Sequence, residues 1–531
     1  MSCLNLISML SVLVWQVLKQ PTKLQNVVFQ LNFMKCVVSS QHASISSCKG
    51  YFNTEPSNAT GTEKALKEAS LLQPSLRGLF DGLQGGRSST SYYGQSFIII
   101  GDVRGDDMQC PTVGSRGNNY YKMDYTRSNI TGPWFKIYNT IRRANRLLQM
   151  CEKLSQGASA SLQKEIANAK AQAQAVRALC YFDLCRVYAT PYPYSNDGAA
   201  LGVPLIEGIP DNAATPGRNT LKECYDFIIK DLTEAISSNA LEDTSYGYIS
   251  KSAAKALLAR VYLYKGDTEG NTKALSLSKE VIDSHLYELA TDVTTYKQVW
   301  SEASSKEMIF SIVNFDSKDW ADREGLAYVL SVNGYYNAFI TKKFYEEMKE
   351  DDNDIRWNVL WASEGTKAEG VVKNLPDATP DMKMFIGKYP GKAALKDMRT
   401  NDIPVIRLAE VYLNAAEAAF KLGDTSTALN YLNVIVKRAN PAKSVAAGDL
   451  TLARILKERS KELVGEGHRF YDLMRNGQTC ERFYKGLVGW HGTLIPEARS
   501  FDHTYFRTIL PIPKSEINAN ATLGKQQNPG Y

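Results

Sequence analysis

Ala254–Asp267 reads AKALLARVYLYKGD, and Asn414–Asp424 reads NAAEAAFKLGD. Each is a run of strong helix formers rich in alanine, closed by Gly-Asp. Alanine loses no side-chain entropy in a helix and lets a neighbouring backbone come close. Glycine accepts the left-handed conformation that ends a helix. In both places an Ala-Leu pair follows, Ala274-Leu275 and Ala428-Leu429, opening a second apolar helix. The two stretches predict two helical hairpins built to one design, each a small-residue helix, a Gly-Asp corner and a second helix.

Helical periodicity extends outward from the first hairpin. Thr62 to Leu79 carries Ala65, Leu66, Ala69, Leu72, Leu76 and Leu79 at a period near 3.6. Trp134 to Met150 predicts another helix, and Ser161 to Tyr188 a long alanine-rich one that closes at Thr190-Pro191-Tyr192-Pro193, because proline cannot continue a helix. Leu221 to Ile236 follows with Thr220 as N-cap. Ser250 to Tyr264 then ends at Lys265-Gly266-Asp267. Different material separates these helices. Residues 80–133 are rich in Gly, Ser, Tyr and Asn, with a strand-like run at Phe97 to Ile100. Residues 287–402 mix Tyr, Trp, Gly and Asp around strand-like Met308 to Val313. The hairpins resemble the tetratricopeptide unit, although the second copy starts too far downstream for a tandem array, and two unrelated hairpins would read the same way. The expected fold is mainly α: tetratricopeptide-like hairpins form a scaffold, packed with long irregular loop-rich insertions and a few short strands.

Bulk chemistry removes several classes of function. An apolar content of 44% over 531 residues supports a large core and excludes disorder of the whole chain. The charge of +6 comes from 62 basic against 56 acidic residues, with no basic stripe interleaved with aromatics, so no nucleic-acid footprint is read. The nine cysteines are odd in number and scattered, without a CxxC pair, which argues against a disulfide framework or zinc ribbon. Cys180 and Cys185 lie five apart on a predicted helix, off a shared face, and read as small buried hydrophobes. None of the five histidines stands at metal-ligand spacing, and no G-x-S-x-G, H-E-x-x-H or P-loop occurs. Asp351, Asp352 and Asp354 resemble the start of a calcium loop but lack its glycine and closing glutamate, which leaves a solvated turn. No metal or cofactor is expected. The paired carboxylates of a glycosidase meet in space and leave no sequence spacing to read.

The first residues read as an export leader. Leu4 to Leu18 is an apolar run too short for a membrane span and suited to a signal peptide, without the usual basic residues before it. Ile45-Ser46-Ser47-Cys48 resembles a bacterial lipobox, whose cysteine becomes the lipidated first residue of the mature protein. Residues 19–44 separate the two features, so the leader is abnormal, and spacing alone leaves Cys48 either a lipid acceptor or an ordinary cysteine. Lys49 to Asn58 is polar and turn-rich, as a tether would be. The expected organisation is a leader over 1–47, a tether over 48–60 and a single domain over 61–531. That domain divides into 61–286 with the insertion 80–133, the insertion 287–402, and 403–531.

The C-terminal part carries the longest motif. Residues 451–477 read TLARILKERSKELVGEGHRFYDLMRNG, and the chain ends LPIPKSEINANATLGKQQNPGY. Glu458-Arg459, Glu462-Leu463, Glu466-Gly467, Arg469, Asp472-Leu473, Arg475 and Gly477 resemble the SusD/RagB family of outer-membrane nutrient-binding lipoproteins. So do Leu510 to Pro513, Glu516-Ile517 and Gln527 to Tyr531; Asn520-Ala521 departs from the usual Asn-Pro. The resemblance covers nearly everything from Cys48 onward. It implies a non-enzymatic binding protein with a lipid on Cys48, held at the bacterial cell surface, that docks on a SusC-type TonB-dependent transporter and passes it an oligosaccharide. A peptide ligand, as in some relatives, a surface glycosidase and a purely structural scaffold are the alternatives. Read physically, Arg459, Glu462, Glu466, Arg469, Asp472 and Arg475 recur at three- and four-residue steps, which suits ion pairs along and between two helices. Arginine neighbours depress a carboxylate and make it a poor proton donor, so the motif reads as structural.

A sugar-binding surface needs aromatic faces beside a few placed hydrogen-bonding groups. The candidates lie in the insertions: Tyr92 and Tyr93 in SSTSYYGQ, Trp320 in FDSKDWADRE, and Tyr335, Tyr336 and Asn337 in SVNGYYNAF, with Trp361 and Trp490 as weaker choices. Arg87, Asp102 and Arg104 are further polar neighbours, and Gly101 to Arg104 is expected to be a structural turn.

Overall fold

The computed structural model describes residues 65–85, 92–110, 115–130, 132–209, 214–302, 305–315, 325–331, 334–335, 337–362, 384–482 and 494–531. Leu66–Tyr531 forms one compact unit. The frame consists of α1 (Leu72–Gln84), α2 (Phe97–Val103), α3 (Trp134–Ser155), α4 (Ala160–Tyr188), α5 (Leu221–Ser237), α6 (Lys251–Lys265), α7 (Thr268–Asp283), α8 (Leu408–Lys421), α9 (Thr425–Ala439), α10 (Leu452–Leu463) and α11 (Arg469–Arg475). No helix among the described residues is long and apolar enough to cross a membrane.

The two hairpins are built alike at atomic detail. Gly266 ends α6 at φ +78°, and Asp267 accepts a hydrogen bond from Gly270 N at 2.6 Å to open α7. Gly423 stands at φ +82° after α8, and Asp424 accepts from Thr427 N at 3.0 Å to open α9. The sequence did not read as a tandem array, yet in space the two units are neighbours. Consecutive helices pack from α3 through α7, and α8 then packs directly on α7. Leu263, Ala274 and Ala418 form the small-residue joint between the hairpins. The intervening segment carries β1 (Met308–Ile312), which pairs antiparallel with β2 (Ile403–Arg407). Leu326, Phe344, Met348, Trp357 and Ile386 of that segment belong to the same buried core as the helices.

One element differs in kind from the sequence reading. Phe97 to Ile100 is helical, within α2, and Gly101-Asp102-Val103 completes that helix where a turn was expected. Every residue of α2 is buried. A run with no polar face has no period to separate strand from helix, so packing decided it.

Candidate functional site

Two regions gather polar chemistry. The first is a buried charge network around the C-terminal motif. Arg407, fully buried, reaches Glu307 Oε1 at 2.5 Å, Glu462 Oε1 at 3.1 Å and Glu466 Oε2 at 2.8 Å. Lys388 adds a bond to Glu466 at 2.7 Å, Arg438 pairs with Glu462, and Arg356 bridges Asp354 at 2.6 Å and Glu458 at 2.7 Å. Helical spacing accounts for only part of the motif. Arg475 pairs with Asp472 within α11 at 2.7 Å, and Arg459 of α10 reaches Asp472 across the helix pair at 3.0 Å. Other contacts run to distant elements: Arg475 to Glu417 at 2.5 Å, Arg469 to Asp106 at 2.6 Å, and Glu462 and Glu466 to Arg407.

Glu410, Glu458, Glu462 and Glu466 are held ionised. Burial pushes Glu410 up, but Arg260, His468 and Arg459 override it and bring its carboxyl to about 2. Against the same burial, Arg438, Arg407 and Arg356 hold Glu462 well below the usual carboxylate range. Groups so committed to cations make poor proton donors.

His468 makes this network sensitive to pH. Burial, helped by Arg260 and Arg459, lowers it to about 4 against Glu410 and Asp472. Between pH 6.5 and 4 the unfolded chain then binds a proton that the folded one refuses. The His468 contribution is therefore complete above pH 6.5 and lost on acidification towards 4, on the order of 3 kcal/mol in all. Burial and Asp106 push Asp107 the other way, up to about 6 against Arg469. That group's contribution is present below its unfolded value and disappears as pH rises through 6, so the two oppose each other. His468→Gln removes that acid loss and leaves Asp107 in both proteins, so the variant's melting temperature is expected to rise relative to the parent's as pH falls from 6.5 to 4. Parallel profiles for the two would remove His468 from the account.

The second region is the surface of the insertion. Helix Leu326–Leu330 is followed by a tight return: Tyr335 N donates to Tyr328 O at 2.8 Å and Asn337 N to Val329 O at 2.9 Å. A Cβ at Gly334 would lie 1.9 Å from Tyr328 O, so only glycine fits the corner. Tyr335 is half-buried, with the Arg116 guanidinium 3.9 Å from its ring centre and the Tyr328 ring 6.3 Å away. Asn337 is buried and acts as the post of the turn. Its Oδ1 accepts from Arg116 N at 3.2 Å, and its Nδ2 donates to Tyr335 O at 2.8 Å. Its backbone oxygen accepts from Cys110 Sγ and Ser115 Oγ, both at 2.9 Å.

Beside this turn runs a cleft lined by Tyr328, Met398, Arg399, Asn401 and Asn314. Asn401 also borders a second cleft with Tyr246, Trp300, Lys392 and Asp402. The ridge between them is braced from within. Asp402 Oδ1 accepts from Asn314 N at 3.0 Å and pairs with Lys392 at 2.9 Å, while its Oδ2 accepts from Tyr246 OH at 2.6 Å. Phe315, next to Asn314, is 75% exposed. Half-buried Tyr328 and Tyr335 and exposed Phe315 offer ring faces for the C–H groups of a sugar, while Asn314 and Asn401 are buried and spend their amides within the protein.

The expected site residues divide sharply. Tyr335 and Asn337 come together on this surface, Tyr335 as a ring and Asn337 as its support. Tyr92 and Tyr93 do not join them; they are 0% and 2% exposed. Their wide helical turn runs into α2 and is tucked under it, where Tyr92 OH donates to Asp183 at 2.5 Å and the Tyr92 ring packs 4.7 Å from that of Tyr93. They are core residues. Asp102 and Arg104 are likewise internal: Asp102 accepts from Gly467 N at 3.0 Å, and Arg104 stacks 3.8 Å above Phe470. Cys48, Arg87, Trp320, Tyr336 and Trp490 lie outside the described residues, as does the side chain of Trp361. The sequence reading missed Tyr246, Phe315, Tyr328, Asn401 and Asp402. Phe315 begins the FDSKDWADRE segment that drew attention to Trp320, whereas Asn401-Asp402 carries no local signal.

The frame and the site can be set beside known proteins. A SusD superfamily protein from Bacteroides thetaiotaomicron superimposes with a TM-score of 0.75 at 35% identity, over 87% of this chain and 99% of that one. A putative sugar binding protein from Bacteroides vulgatus gives 0.75 at 34% identity, over 87% and 98%. The starch-binding protein SusD of Bacteroides thetaiotaomicron is 26% identical over 58% of this chain and 65% of its own length. A family model described as starch-binding associating with outer membrane matches residues 101–263. The SusD family model matches residues 232–531, more than half of the sequence, and the chain belongs to the SusD/RagB family.

Proposed function

We propose that this protein captures oligosaccharides at the outer surface of the outer membrane and releases them into a SusC-type TonB-dependent transporter without cleaving them. Tyr335 carries the reading. It is a half-buried ring fixed on a glycine-cornered turn beside the Tyr328 cleft, on an insertion whose core is continuous with that of the helices. Sugar and starch binding in the names of relatives, together with the description of an outer-membrane association, support it from outside. Cys48 is the proposed lipid acceptor. More than one acyl chain is needed to hold a protein firmly to a bilayer, and bacterial lipidation supplies several.

Calorimetry of the protein beginning after Cys48, against a panel of oligosaccharides, tests the binding. A ligand is expected from that panel, and Tyr335→Ala should weaken it roughly tenfold, as loss of a central aromatic contact does. Binding of peptides in place of every glycan, or release of shortened sugars on incubation, would overturn the reading.

A further inference from the structure

We propose that helix Lys342–Lys349 is docked on the C-terminal motif through a proton-binding joint: a chain of five charged side chains, Glu347, Lys343, Asp106, Arg469 and Asp107, that is one positive charge short and takes up a proton to close. The charges alternate along this chain. Glu347 Oε1 lies 3.1 Å from Lys343 Nζ, and Lys343 Nζ lies 2.9 Å from Asp106 Oδ2. Asp106 Oδ1 is 2.6 Å from Arg469 Nε, which stands 3.4 Å from Asp107 Oδ1. Three carboxylates therefore share two cations. The shortfall shows at the two ends. Asp107 is 1% exposed, and among the described residues neither its Oδ1 nor the buried Oε2 of Glu347 receives a hydrogen bond. Asp107 Oδ2 accepts from Ser460 Oγ at 2.7 Å, which is a neutral donor. A buried carboxylate oxygen left without a donor is costly, and a proton on it removes the surplus charge.

The charged groups on the surrounding elements are committed elsewhere. On α10, Lys457 and Lys461 turn to Glu350, at 2.5 and 3.6 Å. Lys342, on the docked helix itself, pairs with Glu346 at 2.7 Å. Lys388 and Arg407 hold Glu466. Arg482 gives its guanidinium to carbonyls, among them Gly105 O and Val103 O at 3.0 Å each. Asp102 on α2 adds an acid, one that burial pushes well up. Within the chain of five the two aspartates part company. Against its burial, Arg469 and Lys343 hold Asp106 well below the usual carboxylate range. Burial, with Asp106 and Glu347, pushes Asp107 up to about 6 against Arg469 and Lys343. Asp107 is therefore the group that takes the proton.

The same two aspartates hold the root of the turn that carries Tyr335. Thr341 donates from its N to Asp107 O and from its Oγ1 to Asp106 O, both at 2.8 Å. Its Oγ1 also accepts from Phe344 N at 3.2 Å and so opens helix Lys342–Lys349. Just before it, Phe339 and Ile340 pair with Gln109 and Met108. Below pH 6 the joint holds its proton and the charges balance. As pH rises through 6, Asp107 ionises beside Asp106, and residues 340–349 rest on an uncompensated buried charge. Sugar capture then loosens towards neutral pH, a consequence that rests on the binding reading above, whereas the joint stands on its own contacts.

Hydrogen exchange of the full chain, followed by mass spectrometry without ligand, tests the joint. Time courses at about pH 5 and 7.5 are each scaled for the intrinsic pH dependence of exchange. Protection of residues 340–349 is expected to fall roughly tenfold across this interval, because local opening returns Asp107 from about 6 to an ordinary value near 3.9. Asp107→Asn puts a neutral side chain of the same shape in place of the protonated acid and should show no such fall. Glu347→Gln leaves two carboxylates for two cations, so Asp107 ionises at lower pH and the fall should be smaller than in the parent. Should Asp107→Asn fail to fold, the parent and Glu347→Gln decide between them. Equal falls in the parent and the variants, or a parent whose protection is the same at both pH values, would overturn the proposal.

Discussion

Arg407→Met is expected to leave little folded protein, and whatever folds should melt more than 10 °C below the parent in a circular-dichroism scan. Arg407 has no exposed surface and is the common cation of Glu307, Glu462 and Glu466. Methionine fills much the same volume but returns no charge. Glu462 keeps Arg438 and Arg356, and Glu466 keeps Lys388. Among the described residues Glu307 retains one cation, Arg438 at 3.6 Å, and the Ala290 N–H at 3.2 Å. Breaking one buried pair by removing one partner costs about 3–5 kcal/mol, because an uncompensated charge stays in the interior. Three pairs are broken here, against a folding free energy of roughly 5–15 kcal/mol for a domain. The double variant Arg407→Met/Glu307→Gln should recover part of the loss, since it removes the most isolated carboxylate, and the two changes should be non-additive. Lys222→Met breaks an exposed pair with Asp226 at 2.6 Å and should change the melting temperature negligibly. If Arg407→Met melted within two degrees of the parent, the buried network would not hold the C-terminal half together.

The contrast between these two substitutions shows what a sequence can and cannot say about charge. The motif from Glu458 to Arg475 announces helices and pairs. Its principal partners, Asp106, Arg356, Arg407, Glu417 and Arg438, come from five other places in the chain. Spacing along one helix reports only neighbours on that helix. The hairpins were legible for the opposite reason: an alanine-rich helix, a glycine corner and the next helix are local decisions, and both copies made them alike. Their stacking was not legible, since α7 and α8, which pack together, are separated in sequence by the whole insertion. The same limit governs the site. Asn-Gly-Tyr-Tyr and Ser-Tyr-Tyr-Gly have nearly one composition, yet Tyr335 lies on a return at the surface and Tyr92 under α2. Turn chemistry tells where the chain bends. Which side of the bend meets solvent is settled by the helix that follows, and α2 showed no polar face to be read.

Gly101→Ala should be as damaging as loss of Arg407, although it adds a single methyl group. Gly101 lies inside α2, where glycine ordinarily weakens a helix and alanine would be the better residue. Here its absent side chain is the contact. A Cβ at this position would stand 2.1 Å from Gly467 O and 2.6 Å from Gly467 C. Both obstacles are backbone, so no side chain can swing aside. Gly467 cannot retreat easily: it sits at φ +81°, its N–H is bound by Asp102, and its neighbour Glu466 is clamped by Arg407 and Lys388. Overpacking a core costs about 1–3 kcal/mol where side chains can adjust. With two backbones in collision the expected loss is above that range, and the displacement would carry into the charge network itself. Gly78 in α1 supplies the internal control. Nothing lies within 4 Å of a Cβ there, so Gly78→Ala should stabilise by about 0.5–1 kcal/mol through helix propensity alone. The same chemical change is thus expected to have opposite signs in two helices of one protein, read by melting temperature in both. Equal shifts in the two variants would mean that α2 is free to slide on the Glu466–His468 turn, and that the contact which joins the first insertion to the C-terminal motif is looser than its geometry implies.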